Sequence, residues 1–177
     1  YSVKNNSTLN MTEATTRSVT VQTGSTLNIN GATVTGNPGQ PGITINTSRA
    51  TIDRATVSSD TIALLVNRSP RGTSGSTVTA TNGVFRGDTA GAAVTGFSTL
   101  ALINSEVTGT GAGSFGLIVA GGAVTASADT RISGEAAGVR FETDPPVGTA
   151  SLVLDGSSVV GRDGPAIQVD DGVDASI

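Results

Sequence analysis

A short motif recurs along the chain: an apolar residue two places before a glycine. It is present in GATVTG (31–36), NSEVTG (104–109), DTRISG (129–134) and GSSVVG (156–161), and with small departures in RATVSS (54–59) and NGVFRG (82–87). The apolar residues of the motif, here called anchors, are Val34, Val57, Phe85, Val107, Ile132 and Val159, and an earlier copy has Thr16 in this place. Successive anchors are separated by 18 residues (Thr16 to Val34) to 28 residues (Val57 to Phe85). Repeats of about this length indicate a solenoid, a propeller or an array.

Two further apolar groups precede each anchor. Five and seven residues before it lies a pair: Leu9/Met11, Leu27/Ile29, Ala50/Ile52, Val78/Ala80, Leu100/Leu102 and Leu152/Leu154. A third short run precedes the pair in most copies: Val19/Val21, Ile43/Ile45, Ile62/Leu64/Val66, Val139/Phe141 and Ile167/Val169. Because spacing by two places side chains on one face of a strand, each repeat contains three short strands.

A propeller blade needs four antiparallel strands and about 40 residues, which is too long for this repeat. Three strands in about two dozen residues fit a parallel β-helix, in which each strand pairs with its counterpart one coil on. The sequence therefore predicts an all-β fold, a right-handed parallel β-helix of about seven three-strand coils. We expect residues 1–177 to form a single β-helix segment, a fragment of a longer chain.

The repeat also makes local predictions. Leu27, Ile52, Leu100, Leu102 and Leu154 should be buried, with Ile29 and Val78 in the same ladders. Before Ile132 the pair is shifted by one residue, to Val124/Ala126, which indicates a β-bulge. Glu106 and Arg131 each precede an anchor, so we expect them to be neighbours and to form an exposed ion pair.

Composition narrows the chemistry. The chain contains no His and no Cys, which excludes a Ser-His-Asp triad, disulfides and thiolate metal sites. Its net charge is −4, with the basic residues dispersed, which argues against nucleic acid as a partner. No apolar stretch is long enough to span a membrane, so we expect no membrane insertion of this segment. No cofactor motif is present, and we expect a monomer.

The recurring GxxVxG motif is accompanied by three further segments, AGVRFET (137–143), SLVLDGSSVVG (151–161) and GPAIQVDDG (164–172). With these segments the chain resembles autotransporter passengers of the pertactin type over nearly its whole length. The resemblance implies a right-handed β-helix exposed on the bacterial cell surface or secreted from a Gram-negative outer membrane. Many such passengers act as adhesins, and others support a protease or lipase domain. The translocator barrel and the proline-rich stretch that accompany passengers in this family are not part of the sequence.

Candidate binding residues lie at the corners of the repeat. Arg86-Gly87-Asp88 forms a tripeptide that can mimic an integrin ligand, and pertactin-like proteins carry one in a similar place. Gly87 is also the glycine of the repeat, so the tripeptide has an alternative structural explanation. Two longer corners supply further candidates: Arg68, Pro70, Arg71, Asp144, Pro145 and Pro146.

Acidic residues are dense only near the end of the sequence: Asp163, Asp170, Asp171 and Asp174. Oxygen ligands of this kind could hold calcium weakly. Polysaccharide hydrolysis needs two carboxylates roughly 5–10 Å apart, and this patch offers few basic partners. A solvated, negatively charged turn is the simpler interpretation, and we predict no catalytic residues.

Three functions remain open from the sequence. The first is a non-enzymatic surface passenger that acts as an adhesin or display scaffold and binds a host receptor, matrix protein or glycan. The second is a carbohydrate-binding or carbohydrate-degrading β-helix protein of the tailspike or pectinase kind. The third is a purely structural stalk for an activity elsewhere in the parent chain.

Overall fold

The structure, a computed structural model, describes residues 1–68, 74–143 and 149–177. Within these ranges the secondary structure consists of 23 short strands and no helix, so no helix could cross a membrane. Thr, Val and Ile supply much of the strands, since side chains branched at Cβ fit a pleated surface.

The strands form three parallel sheets, and each strand pairs with the strands three before and three after it. The first sheet contains β1 (Ser2–Val3), β4 (Val19–Gln22), β7 (Ile43–Asn46), β10 (Ile62–Asn67), β13 (Ala90–Thr95), β16 (Phe115–Ala120), β19 (Ala137–Phe141) and β22 (Ile167–Val169). The second contains β2 (Thr8–Thr12), β5 (Thr26–Asn30), β8 (Arg49–Asp53), β11 (Thr77–Thr81), β14 (Thr99–Ile103), β17 (Ala123–Ser127), β20 (Ala150–Asp155) and β23 (Ala175–Ser176). The third contains β3 (Thr15–Arg17), β6 (Thr33–Thr35), β9 (Thr56–Ser59), β12 (Val84–Gly87), β15 (Glu106–Gly109), β18 (Arg131–Gly134) and β21 (Ser158–Gly161). The chain is thus a parallel β-solenoid, as predicted, and the expected number of about seven coils is close.

The anchors form one continuous ladder in the third sheet. Thr16 pairs with Val34, and the register runs on through Val57, Phe85, Val107 and Ile132 to Val159. The anchors from Val34 to Ile132 are buried. The repeat alignment is therefore confirmed across this sheet.

The apolar pairs of the second sheet stack in the predicted register. Leu27, Ile52, Leu100 and Leu102 are buried, as are Ile29 and Val78. Leu154 is only half-buried, which corrects the prediction for this residue. The reason is that β23 pairs with Ala150 and Ser151 alone, so no following strand covers Leu154 within the described part of the chain.

The predicted β-bulge before Ile132 is wrong. Strand β17 pairs without interruption with both β14 and β20, so the ladder contains no extra residue. The additional residue lies instead in the corner between β17 and β18, which spans 128–130. Ala128 and Asp129 both have positive φ there, 53° and 64°. A corner accepts an insertion easily because no ladder hydrogen bond has to move.

Three strands of the first sheet, β1, β13 and β16, have no counterpart in the predicted apolar runs. Strands β13 and β16 contribute Ala92, Val94, Leu117 and Val119 to the interior, in register with Leu64 and Val66 of β10. Small residues fill much of β13, whose sequence is AGAAVT. The interior of the solenoid is therefore continuous through these coils.

Candidate functional site

Gly87 of the Arg86-Gly87-Asp88 tripeptide is the last residue of β12 and is buried. A Cβ atom at this position would overlap the carbonyl oxygens of Ala90 and Thr61. The chain turns here directly into the first sheet, with only residues 88–89 between β12 and β13. Packing at the corner therefore requires glycine at this position.

The two charged side chains of the tripeptide contact the following coil. The Arg86 guanidinium donates to Glu106 Oε1 at 2.8 Å, and Thr110 Oγ1 donates to Asp88 Oδ1 at 2.7 Å. Both side chains are exposed, but the short connection lies close to the sheet and does not protrude as a loop. The geometry supports a structural role for this glycine, and integrin recognition stays a prediction.

Arg86 and Asp88 also line a shallow groove of about 470 Å³ on the third sheet. Arg17 lies at its other end, and the small side chains of Thr35 and Ser58 lie between the two arginines. Asp60 forms part of the wall and accepts hydrogen bonds from the Gly39 amide at 2.9 and 3.1 Å. The groove carries both signs of charge.

Of the longer-corner candidates, Arg68 is the one that falls within the described residues. Its guanidinium lies 5.8 Å from the centre of the Phe97 ring, a cation–π distance. Pro70, Arg71, Asp144, Pro145 and Pro146 lie outside the described residues.

The four aspartates near the end of the sequence have different surroundings. Asp170 accepts hydrogen bonds from Arg140 at 2.7–3.2 Å, and these bonds lower the pKa of its carboxyl group. The Asp163 backbone amide bonds to the Glu135 carbonyl oxygen, while Asp171 and Asp174 are exposed residues after β22. Among the described residues, no group of three or more acidic side chains is arranged to hold a metal ion.

Arg140 is the centre of a small charged cluster on the first sheet. Besides Asp170, its guanidinium contacts Glu142 at 3.1 Å and lies 4.9 Å from the centre of the Phe115 ring. The hydrogen bond to Asp170 raises the pKa of Arg140. The cluster ties β22 to β19, so its role is to hold neighbouring coils together.

The predicted ion pair between Glu106 and Arg131 is wrong, although their register is as expected. The two residues are backbone partners of β15 and β18. The Glu106 carboxylate turns instead toward the preceding coil, where Arg86 reaches it diagonally from β12. Among the described residues no carboxylate forms an ion pair with Arg131, because its expected partner already bonds to Arg86.

A second groove, here called the corner groove, lies where the second sheet turns into the third. It has a volume of about 530 Å³ and is lined by Asn82, Gly83, Val84, Asn104, Ser105, Glu106, Asp129 and Arg131. Asn104 Nδ2 donates to Asn82 Oδ1 at 2.7 Å, and Asn82 Nδ2 donates to Asp53 Oδ1 at 3.2 Å. These bonds fix the orientation of both amides. The floor of the groove is therefore ordered and polar.

The sequence analysis missed the corner groove. A signal was present, because Asn82 and Asn104 occupy equivalent corner places with positive φ, 53° and 47°. Asparagine tolerates this left-handed conformation better than most residues. Asp129 stands in the longer corner of the next coil, and the sequence alone did not place it beside the two asparagines.

Buried serines before the second-sheet strands were also missed. Ser25, Ser48, Ser76 and Ser98 are buried at the preceding corners. The Ser48 amide donates to Ser76 Oγ at 3.3 Å, and the Ser76 amide donates to Ser98 Oγ at 3.0 Å. These hydroxyl groups satisfy backbone groups that would otherwise be unpaired inside the protein. Their role is structural.

A comparison with protein-family models, with curated proteins and with solved structures finds no match to this chain.

Proposed function

We propose that the chain is a non-enzymatic passenger segment, exposed on a bacterial cell surface or secreted, that acts as an adhesin or display scaffold. Its corners would carry the contacts to a host receptor, a matrix protein or a glycan. The pertactin-like cadence of the sequence supports the cellular setting, and the parallel β-solenoid is consistent with it.

The observation that carries the proposal is where the coils differ from one another. The ladders of the three sheets continue from coil to coil, whereas the connections differ in length, for example one residue between β3 and β4 (18) and seven residues between β6 and β7 (36–42). Surface loops on a rigid framework are the usual position of binding residues. A stack of this kind holds variable corners at fixed positions.

The contacts of several carboxylates with arginines support a non-enzymatic role. Glu106 contacts Arg86, Asp170 contacts Arg140, and Glu135 contacts Arg162 at 2.6 Å. Of these three groups, Asp170 has a lowered pKa because of its hydrogen bonds from Arg140, which makes this carboxyl group a poor general acid. The acid of a glycosidase needs the opposite environment, one that raises its pKa.

Carbohydrate binding without catalysis is the second candidate, and the corner groove favours it. Its volume is within the range of small-ligand sites, about 300–1,000 Å³, and its lining is polar. A purely structural stalk is the remaining alternative, in which neither groove nor corner has a partner.

The test is a binding screen of the purified chain against host cells, matrix proteins and glycans on a surface. The proposal predicts saturable binding to at least one of them by the folded chain. The control is the Leu102→Asp variant, whose core substitution should unfold the coil stack. Absence of binding in the whole screen would leave the stalk as the better account, and equal binding by the control would mean that the fold is not required.

A further inference from the structure

The corner groove contains exposed polar groups that have no hydrogen-bond partner among the described residues. Asn104 uses its amide nitrogen for Asn82, and no donor among the described residues reaches its Oδ1. The carboxylate of Asp129 and the guanidinium of Arg131 likewise have no hydrogen-bonding side chain in the part of the chain that the structure describes. Two acceptors and one donor group thus line the same groove.

Two features of the fold keep these groups apart from protein partners. Glu106 would be the natural partner of Arg131, but it is held by Arg86 at 2.8 Å and by Thr108 at 3.4 Å. The corner that carries Asp129 is one residue longer than the corner of Asn104, 128–130 against 104–105. The row of corner asparagines therefore ends at Asn104, and Asp129 forms the wall beyond it.

We propose that the corner groove binds a hydroxyl-rich sugar residue of a glycan. Vicinal hydroxyl groups donate to the Asp129 carboxylate and to Asn104 Oδ1, and a sugar oxygen accepts from the Arg131 guanidinium. A hydroxyl group is both donor and acceptor, so a sugar matches a site that offers both kinds of partner. The ordered amides of Asn82 and Asn104 reduce the entropy cost of binding.

The site deepens the proposed binding function, because it names a ligand class and a position for one of the contacts. The biological role of the sugar site rests on the proposed function, whereas sugar binding itself does not depend on it. Sugar binding by the isolated chain is a separate measurement from attachment to cells, so the failure of one is distinguishable from the failure of the other.

The experiment is a chemical-shift titration of the ¹⁵N-labelled chain with glucose, galactose, mannose, N-acetylglucosamine and glucuronate. We expect saturable shifts at 82–84, 104–106 and 129–131 for at least one sugar, with a dissociation constant on the order of 1 mM. Asp129→Asn should weaken this binding about tenfold or more, since it removes a charged acceptor and keeps a residue suited to positive φ. Arg131→Gln should weaken it similarly.

The matched control is Arg17→Gln, which removes an exposed arginine of the same sheet near the other groove. It should leave the titration unchanged, and all three variants should keep the urea midpoint of the parent. The proposal is overturned if none of the five sugars gives saturable shifts at these residues, or if Asp129→Asn and Arg131→Gln bind as the parent does. Loss of binding in Arg17→Gln alone would also overturn it and would place the sugar in the groove beside Arg86.

Discussion

The Arg86 guanidinium and the Glu106 carboxylate form an ion pair across neighbouring coils, with Nη2 and Oε1 2.8 Å apart. The pair is diagonal, because the backbone partner of Glu106 in β12 is Val84 and that of Arg86 in β15 is Thr108. It removes Glu106 from Arg131, whose guanidinium lines the corner groove without an ion-pair partner among the described residues. One surface contact thus connects the tripeptide at 86–88 with the groove.

A double-mutant cycle tests this choice of partner. Combining Arg86→Gln with Glu106→Gln should give a coupling of roughly 0.2–1 kcal/mol in the free energy of unfolding, as is usual for exposed pairs. The matched cycle of Glu106→Gln with Arg131→Gln should give a coupling near zero. Both are measured by urea unfolding at low salt, where screening is weak. A larger coupling in the second cycle would contradict the pairing described above.

Leu102→Asp tests the core of the second sheet. Leu102 has no exposed surface, so the substitution would bury an unpaired carboxylate and cost several kcal/mol. Thr99→Asp is the matched control, because Thr99 lies on the same strand with its side chain exposed. The urea midpoint should fall steeply for Leu102→Asp and change little for Thr99→Asp. Similar midpoints for the two variants would mean that the side chains of β14 face the other way.

Gly87→Ala should destabilise the chain by about 1–3 kcal/mol, because the added methyl group would overlap backbone atoms at the corner. Thr89→Ala, two residues further on and exposed, should have little effect. Thermal or urea unfolding gives both values. A neutral Gly87→Ala would show that the tight corner is not what requires glycine.

Cell attachment separates the structural explanation of the tripeptide from integrin mimicry. Asp88→Glu keeps the charge but moves the carboxylate, which an integrin site would not tolerate. We expect equal attachment by the parent and the variant, since Asp88 lies in a two-residue connection and accepts a hydrogen bond from Thr110. A clear loss of attachment with Asp88→Glu would establish integrin recognition instead.

The Arg140–Asp170 pair predicts a pH dependence of stability. Its hydrogen bonds lower the pKa of Asp170 in the folded chain, relative to about 3.9 in an unfolded one. A lowered folded pKa means that the stabilisation is complete above the unfolded pKa and is lost as the pH falls through the folded value. Because both side chains are about 30% exposed, the effect should be modest, roughly 1 kcal/mol.

Amide hydrogen exchange of β22 measures this effect locally. Protection at 167–169 should decrease between pH 5 and pH 2 after correction for intrinsic exchange. Asp170→Asn should have the lower protection already at pH 5, whereas the control Asp163→Asn should behave as the parent. An identical pH profile for Asp170→Asn and the parent would show that the Arg140–Asp170 pair does not stabilise β22.

The backbone register could be predicted from the sequence because it depends on apolar spacing. The anchors all lie two residues before a glycine or its equivalent, and a parallel stack aligns such positions directly. Examples are Val34, Val57, Phe85 and Val107. Strand β13 could not be predicted from apolar spacing. Its Ala and Gly residues lack the alternation of large apolar and polar side chains on which the prediction relied.

Side-chain partners at the surface could not be predicted in the same way. The register correctly made Glu106 and Arg131 neighbours, but a glutamate side chain reaches either adjacent coil, and Arg86 competes for it. The corner groove could not be predicted for a similar reason. Its wall depends on one extra residue at 128–130, which the apolar pattern interprets equally well as a bulge in the strand.

The central claim is that the strands stack in one fixed register, which holds every corner and groove in place. Disulfide trapping tests it directly, because the chain has no native Cys. Thr79 and Ala101 are direct partners across β11 and β14, whereas Thr79 and Ile103 are displaced by two residues. Adjacent strands are about 4.8 Å apart, and a two-residue offset adds about 6.6 Å along the strand, which exceeds disulfide reach. We predict that Thr79→Cys/Ala101→Cys forms an intramolecular disulfide under mild oxidation and that Thr79→Cys/Ile103→Cys does not. Formation of the second disulfide in preference to the first would contradict the account.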